Sequence, residues 1–396
     1  MYSLTKDRAK DGLCVFGSHS QGVCIITFPI SSAGFPPLAN LINIICNFSK
    51  KVYVITSRDF SRFYSCGNCR FSFYGISNVS RGGREGKNLL LAILKYFKAQ
   101  LEIVARIFAI HLQADLYLFF IGGETLLLPV LFTKLFRKKA VVCHTGSIVK
   151  SARFQRLPLI NALVIVRNLV RFLADRIVVY SKVIIREDEL AKFMHKMAVA
   201  REHFLNFNLF NLIIPFASRG NSVGYVGRFS WEKGVLNFVE AIPLVVKRIR
   251  NVDFVLVGEG PLFSLVNKKI GVFNGGHVKV LKWLPYHELP LLLNKLRLLV
   301  LPSATEGLPN VVLEAMACGT PVLATPVGAI PDIIKEGETG FLLKSDDPIH
   351  IAERIIELLN NPELLEEVSI KAYNYVRENF SFEKTLDAWR KILSEL

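Results

Sequence analysis

The sequence predicts an α/β protein made of two doubly wound domains, each with a parallel sheet. Three observations carry this. Short β-branched runs alternate with longer helical patterns along almost the whole chain, as in successive βα units. The alternation lapses once, in Arg201–Ser222, where Asn206, Asn208, Asn211, Pro215, Ser218, Gly220, Asn221 and Ser222 supply polar and turn residues. The chain of 396 residues is long enough for two cores on either side of that lapse.

In the first half the strand candidates are Val23–Phe28, Lys51–Thr56, Leu116–Ile121, Ala140–Cys143 and Arg176–Tyr180, with helical patterns at Asn88–Leu112 and Leu157–Leu173. In the second half they are Val223–Val226, Asp253–Val257, Val278–Leu281, Leu298–Leu301, Pro321–Ala324 and Phe341–Leu343. From Pro348 to Leu396 the pattern is helical with charged faces. The expected division is an appendage at 1–20, a first domain at 21–200, a linker at 201–222, a second domain at 223–380 and a last helix at 381–396. In doubly wound sheets ligands bind beyond the carboxyl ends of the strands, so the active site is expected in the cleft where the two domains face each other.

Composition excludes disorder, with 51% hydrophobic and 21% charged residues. The net charge of +16 is concentrated in residues 1–216, which hold 29 Lys and Arg against 12 Asp and Glu, whereas residues 217–396 hold 20 against 21. Such a field favours anionic partners such as phosphorylated acceptors, anionic lipid headgroups or nucleic acid. The bland alternative is a solvated basic face. Within this half, Lys150, Arg153, Arg156, Arg167 and Arg171 flank the apolar run Leu157–Val166, which reads equally as an interfacial helix with basic ends or as a core helix with solvated cations.

Residues 12–49 carry no Asp, Glu, Lys or Arg, but the apolar run Val23–Ile30 is too short to span a bilayer and reads as a buried strand. Of seven cysteines only Cys66 and Cys69 are closely spaced, and no second ligand pair follows, so they are expected to be reduced thiols in a loop rather than a zinc site. A reducing, cytoplasmic setting is expected.

Two clusters carry chemistry. In Gly224-Tyr225-Val226-Gly227-Arg228-Phe229-Ser230-Trp231-Glu232-Lys233-Gly234 a strand ends in glycine and passes through a basic loop into the helix Val235–Arg250. Gly227 allows a ligand close to the backbone, the helix start offers N–H groups, and Arg228 with Lys233 can meet a diphosphate. The alternative is an ordinary corner with two solvated cations. In Glu306-Gly307-Leu308-Pro309-Asn310-Val311-Val312-Leu313-Glu314 two carboxylates, one in a loop and one in the helix that follows, can reach separate hydroxyl clusters of an elongated ligand. Glu314 lies among apolar neighbours and is expected to be a buried charge.

With Val257-Gly258-Glu259-Gly260-Pro261 and Pro302-Ser303 added, these residues resemble a family 4 retaining glycosyltransferase of the GT-B fold, over Gly224 to about Leu343. In the first half the resemblance rests on His144 at a strand end and on Ala174-Asp175-Arg176-Ile177-Val178-Val179-Tyr180-Ser181. Ser31-Ser32-Ala33-Gly34 and Gly328-Ala329 stand where members often carry glycine pairs.

The resemblance implies a nucleotide-diphosphate sugar as donor substrate, no cofactor and no metal, since no Asp-x-Asp motif occurs. It implies that Arg228 and Lys233 neutralise the departing diphosphate and that Glu306 holds the sugar and Glu314 the ribose. Gly307, Leu308 and Pro309 would complete the sugar pocket, Gly227 and Gly258 would line the nucleotide, the backbone near Leu284 would meet the base, and His144 would approach the reacting carbon. The acceptor would be an anionic, lipid-linked or other glycan bound by the first domain, with an anionic membrane surface as a further partner and no nucleic acid. The final helix would pack back toward the first domain. Two other readings remain: a catalytically inert nucleotide-binding or assembly subunit of the same fold, and a nucleotide-sugar epimerase.

Overall fold

The computed structural model describes residues 22–28, 34–57, 70–77, 89–144, 160–181, 185, 190–272 and 276–396. Within these the chain divides into two compact units, with 22–180, 190–203 and 385–396 in one and 204–384 in the other, joined there by 181 and 185.

Unit 1 is built on seven parallel strands: β1 (Gly22–Thr27), β2 (Lys51–Thr56), β3 (Arg70–Gly75), β4 (Ala114–Phe119), β5 (Lys139–His144), β6 (Arg176–Val179) and β7 (Met197–Val199). Their order is β3-β2-β1-β4-β5-β6-β7. All six residues of β1 are buried, because a central parallel strand is covered on both faces and so reads as one apolar run. Its helices are α1 (Phe35–Ile45), α2 (Leu89–Ile110), α3 (Leu127–Leu135) and α4 (Ile160–Leu173). The chain moves one way along the sheet through α1 and the other way through α2, α3 and α4, and right-handed crossovers therefore place these last three on one face. α2 packs beside α3 and α3 beside α4.

Unit 2 has six parallel strands: β8 (Ser222–Val226), β9 (Asp253–Val257), β10 (Val278–Leu281), β11 (Leu298–Leu301), β12 (Val322–Ala324) and β13 (Phe341–Leu342). Their order is β10-β9-β8-β11-β12-β13, so the direction of winding reverses between β8 and β11. The helices are α5 (Val235–Arg248), α6 (Phe263–Val272), α7 (Leu289–Lys295), α8 (Asn310–Ala317), α9 (Ile330–Ile333), α10 (Pro348–Leu359) and α11 (Pro362–Asn379). Phe238, Phe254, Val300 and Ile355 are among the fully buried side chains of its core.

The stretch expected as a linker divides between the units. From Phe204 onward it packs on unit 2, where the buried Arg219 guanidinium donates to the carbonyls of Ile214, Leu296, Cys318 and Gly319 and to Thr320 Oγ1. Helix α12 (Phe382–Ser394) groups with unit 1 from Thr385 onward. There the buried Trp389 donates from Nε1 to the Arg201 carbonyl at 2.9 Å.

Two strands escape the sequence reading, β3 and β7. Among the described residues β3 pairs only with β2 and β7 only with β6, and an edge strand lacks the apolar run that marks a central one. Cys24, Cys143 and Cys318 are free and buried. Cys46 is disulfide-bonded, which departs from the reducing setting expected from the sequence. Residues 1–20, Cys66 and Cys69 lie outside the described residues. Among those described, no helix is long and apolar enough to cross a membrane.

Candidate active site

In unit 2 the loops after β8 and β11 leave the carboxyl edge on either side of the winding reversal, the place where open α/β sheets form a crevice. The first loop carries Arg228 and Lys233, the second Glu306, and the ion pair Lys233 Nζ to Glu306 Oε2 closes across them at 2.6 Å. The Glu306 side chain is 6% exposed and that of Lys233 26%, so the pair is largely desolvated and held in one geometry.

Arg228 is more open, at 59%. Its Nη2 donates to Glu232 Oε1 and its Nε to Ser230 Oγ. Burial raises the Glu232 carboxyl, but its own hydrogen bonds, that of Ser230 and the Arg228 charge outweigh this and hold it below its ordinary value. Glu232 thus fixes Arg228 and is a site residue that the sequence reading missed. The signal was the spacing of four between Arg228 and Glu232, which suits a pair on one turn.

Glu314 lies on α8 and is buried, as its apolar neighbours implied. Desolvation lifts its carboxyl to about 7 against an ordinary 4.5, partly offset by the Tyr286 hydroxyl, which donates to Oε1 at 3.0 Å. Tyr286 comes from the segment between β10 and α7, and nothing in the motif announced it. Arg219 binds the carbonyls of Cys318 and Gly319 just past α8, where the helix's unsatisfied acceptors lie, and so anchors the element that carries Glu314.

Leu308 is buried and Gly307, Pro309 and Leu284 are half-buried. Two glycines have clear backbone reasons. A Cβ on Gly258 would fall 1.9 Å from the Gly227 carbonyl, so the protein's own packing already requires glycine there. Gly328 has φ +61° and a Cβ would fall 2.2 Å from the Glu306 carbonyl. Ala329 has φ −88° and donates its N–H to the Gly307 carbonyl at 2.8 Å, so alanine at the second position leaves the loop intact. Ser31-Ser32-Ala33 lie outside the described residues.

His144 ends β5 in unit 1 and is fully buried. Glu124, on the loop after β4, accepts from His144 Nδ1 at 2.9 Å and from Arg171 Nε at 2.7 Å. Arg171 Nη2 also lies 3.2 Å from His144 Nδ1, so the carboxylate, the imidazole and the guanidinium form one buried cluster. Burial works against the Glu124 charge, yet His144 and Arg171 together keep its carboxyl below the ordinary value. The interfacial-helix reading of Lys150–Arg171 needs correction: Arg167 and Arg171 are buried, so neither is a basic end in solvent, while Lys150, Arg153 and Arg156 lie outside the described residues. Among the described residues no three His, Cys, Asp or Glu converge as a metal site.

Residues 213–375 match the family described as Glycosyl transferases group 1. That stretch is a glycosyl transferases group 1 domain. It is similar to an uncharacterized glycosyltransferase of Methanocaldococcus jannaschii, 33% identical over 172 residues, 43% of this chain and 47% of that one. It is also similar to N-acetyl-alpha-D-glucosaminyl L-malate synthase of Bacillus anthracis, 32% identical over 176 residues, 42% of this chain and 44% of that one. The match thus spans about half the length of these relatives. Over 95% of the chain the fold is that of Anabaena HepE, solved in complex with UDP and glucose, with a TM-score of 0.74, 17% identity and all of that chain covered. Sucrose-phosphate synthase from Thermosynechococcus elongatus aligns equally well, with a TM-score of 0.74, 18% identity, 95% of this chain and 100% of that one covered. The fold is GT-B, with two Rossmann-like domains, as the sequence predicts.

Proposed function

We propose that the protein is a retaining glycosyltransferase that moves a sugar from a nucleotide-diphosphate donor to an anionic, lipid-linked or other glycan acceptor at a membrane surface, without a divalent metal. The observation that carries this reading is the Lys233–Glu306 pair at the winding reversal of the group 1 domain, because it sets a cation for a diphosphate against a carboxylate for sugar hydroxyls.

In the reaction the bond from the sugar's anomeric carbon to the diphosphate oxygen breaks and the acceptor oxygen bonds to that carbon. The acceptor's proton passes to the departing diphosphate. Attack and departure on one face retain the anomeric configuration with no protein nucleophile. Charge builds on the leaving group, and that is where fixed cations lower the barrier. Lys233 has three N–H donors and uses one on Glu306, so its others suit phosphate oxygens. Arg228, anchored at Nη2 and Nε, presents the rest of its guanidinium. The start of α5, just after Lys233, adds the partial positive charge of a helix N-terminus. Glu306 takes sugar hydroxyls, Glu314 takes ribose hydroxyls, and the Gly307–Pro309 backbone lines the sugar. Gly227 lies beside the nucleotide and Leu284 beside the base, while His144, its ring set by Glu124, belongs to the acceptor-binding unit.

The test is a panel of nucleotide sugars screened by thermal shift, since a cognate donor stabilises the fold by mass action, followed by donor hydrolysis and transfer assays with EDTA present. Turnover that survives chelation is expected. Loss of all activity in EDTA, restored by magnesium or manganese, would contradict the metal-free reading. Nucleotide binding without turnover would establish the inert subunit instead, and epimer formation without acceptor the epimerase.

A further inference from the structure

Helix α2 of unit 1 has two apolar faces, and only one is used inside the fold. Ala99, Ile103, Ile107 and Ile110 are buried. Nearly opposite them Leu94, Phe97, Leu101 and Phe108 are 50–58% exposed, and Leu112, in the turn just past the helix, is 75% exposed. At about 100° per residue the four on the helix fall within a sector of roughly 60°. Single exposed apolar side chains are ordinary, but a continuous line along a helix of 22 residues is not.

The stripe continues onto the neighbouring helices. Phe108 packs against Phe132 and Phe136 at ring distances of 6.5 and 6.2 Å, which carries the surface to α3, where Leu131 and Leu135 are exposed. Beside α3, α4 exposes Ile165, Leu169 and Phe172, spaced as one helix face. Cations border this surface. Lys95, Lys98 and Arg106 are exposed along one flank of the α2 stripe, and Arg137 is exposed just past α3. Glu102 is the only acidic residue of α2.

We infer that this face of α2, α3 and α4 lies on an anionic lipid bilayer, with the α2 stripe in the acyl boundary and Lys95, Lys98, Arg106 and Arg137 at the headgroups. The occupant follows from charge. An apolar strip edged by cations on a strongly basic half-chain suits a surface that is both apolar and negative, and a bilayer with anionic headgroups is both. A second copy of this chain would oppose like charges across the same cations. The inference rests on the membrane part of the reading above and gives that contact a place. Its test reads binding alone, so it can fail while sugar transfer stands.

The full chain is sedimented with vesicles of pure phosphatidylcholine and with vesicles containing phosphatidylserine, at low and high salt. Binding should require phosphatidylserine and weaken with salt, because screening shortens the reach of the cations. Leu101→Glu combined with Phe108→Glu should lower partitioning by about tenfold or more. Lys95→Glu combined with Lys98→Glu should lower it by about thirtyfold or more, since each cation near the surface is both removed and reversed. Unchanged circular dichroism and melting would show these exposed positions tolerate the change. Wild-type binding that both pairs leave intact overturns this placement but not membrane association. No wild-type binding at low salt overturns both, and concentration-dependent dimerisation abolished by Leu101→Glu would make the face a subunit interface instead.

Discussion

Replacing Glu314 with glutamine should make unit 2 more stable at pH 8 and at the same time weaken nucleotide binding. Burial moves the Glu314 carboxyl from an ordinary 4.5 to about 7. At about 1.4 kcal/mol per pKa unit, ionisation there costs the fold on the order of 3 kcal/mol. The folded-state value is raised, so the folded protein holds the proton more tightly than the unfolded chain. Its contribution to stability is complete below pH 4.5 and is lost as pH rises through about 7. Glutamine keeps the shape and can still accept from Tyr286, but has no charge to desolvate. The stability of Glu314→Gln relative to wild type should therefore rise by about 3 kcal/mol between pH 5 and pH 8. Urea unfolding followed by tryptophan fluorescence reads this, since Trp231 and Trp283 belong to unit 2 and only Trp389 to unit 1. Ribose hydroxyls would lose a charged acceptor, which corresponds to a loss of about tenfold to a hundredfold in affinity for the free nucleoside diphosphate. A relative stability that stays flat between the two pH values refutes the buried-carboxyl reasoning. Unchanged nucleotide affinity refutes the ribose assignment.

Lys233→Ala and Arg228→Ala should each lower turnover by about a hundredfold or more, yet differ in stability. Losing Lys233 leaves the buried Glu306 carboxylate alone and should cost about 1–3 kcal/mol, whereas the exposed Arg228 should cost about 0.5 kcal/mol or less; full activity in either variant would sink its leaving-group role. Arg171→Leu should destabilise unit 1 by about 3–5 kcal/mol, because it removes the permanent charge that pairs with the buried Glu124 and leaves only His144 against it. Glu124 is held below its ordinary value, so its contribution is present above pH 4.5 and lost as pH falls through the folded-state value; melts at neutral and acid pH should show the variant's acid sensitivity beginning at higher pH, and an unaltered melt would contradict the triad's structural role.

The central strands were legible because burial on both faces writes a continuous apolar run, and β2, β9 and β11 fall on the very residues that the pattern marks. Glu306 and Glu314 were legible as a loop carboxylate and a helix carboxylate, because Pro309 closes one and the apolar run after it opens the other. Their partners were not. Lys233 and Glu306 are 73 residues apart and Tyr286 is 28 from Glu314, distances that only the sheet order closes. The α4 arginines went wrong for a related reason. Composition cannot tell a cation that snorkels to solvent from one drawn inward by a carboxylate, and Glu124 sits 47 residues before Arg171.

The placement of charge along both sheets makes the same distinction physically. At the amino ends of the unit 1 strands, Lys134 pairs with Asp175 and Lys138 with Asp115, each pair at least partly in solvent. Such pairs contribute little and need no ligand to explain them. Beyond the carboxyl ends stand Glu124, Tyr180 and Glu202 in unit 1 and Glu232, Glu306 and Glu314 in unit 2, all buried or nearly so. Burial lifts the Glu202 carboxyl to about 8, although Tyr180 donates to its Oε1 at 2.5 Å. Desolvated carboxylates work against stability, so a fold selected for stability alone would spread them over both ends or omit them. Among the described residues the buried carboxylates stand at this one edge, an arrangement that suits ligand binding, since hydroxyls and phosphates are gripped most firmly by groups already stripped of water. The winding reversal determines where along that edge the gap opens. In unit 2 the Lys233–Glu306 pair stands at that gap, which ties the chemistry of the site to the order of its strands.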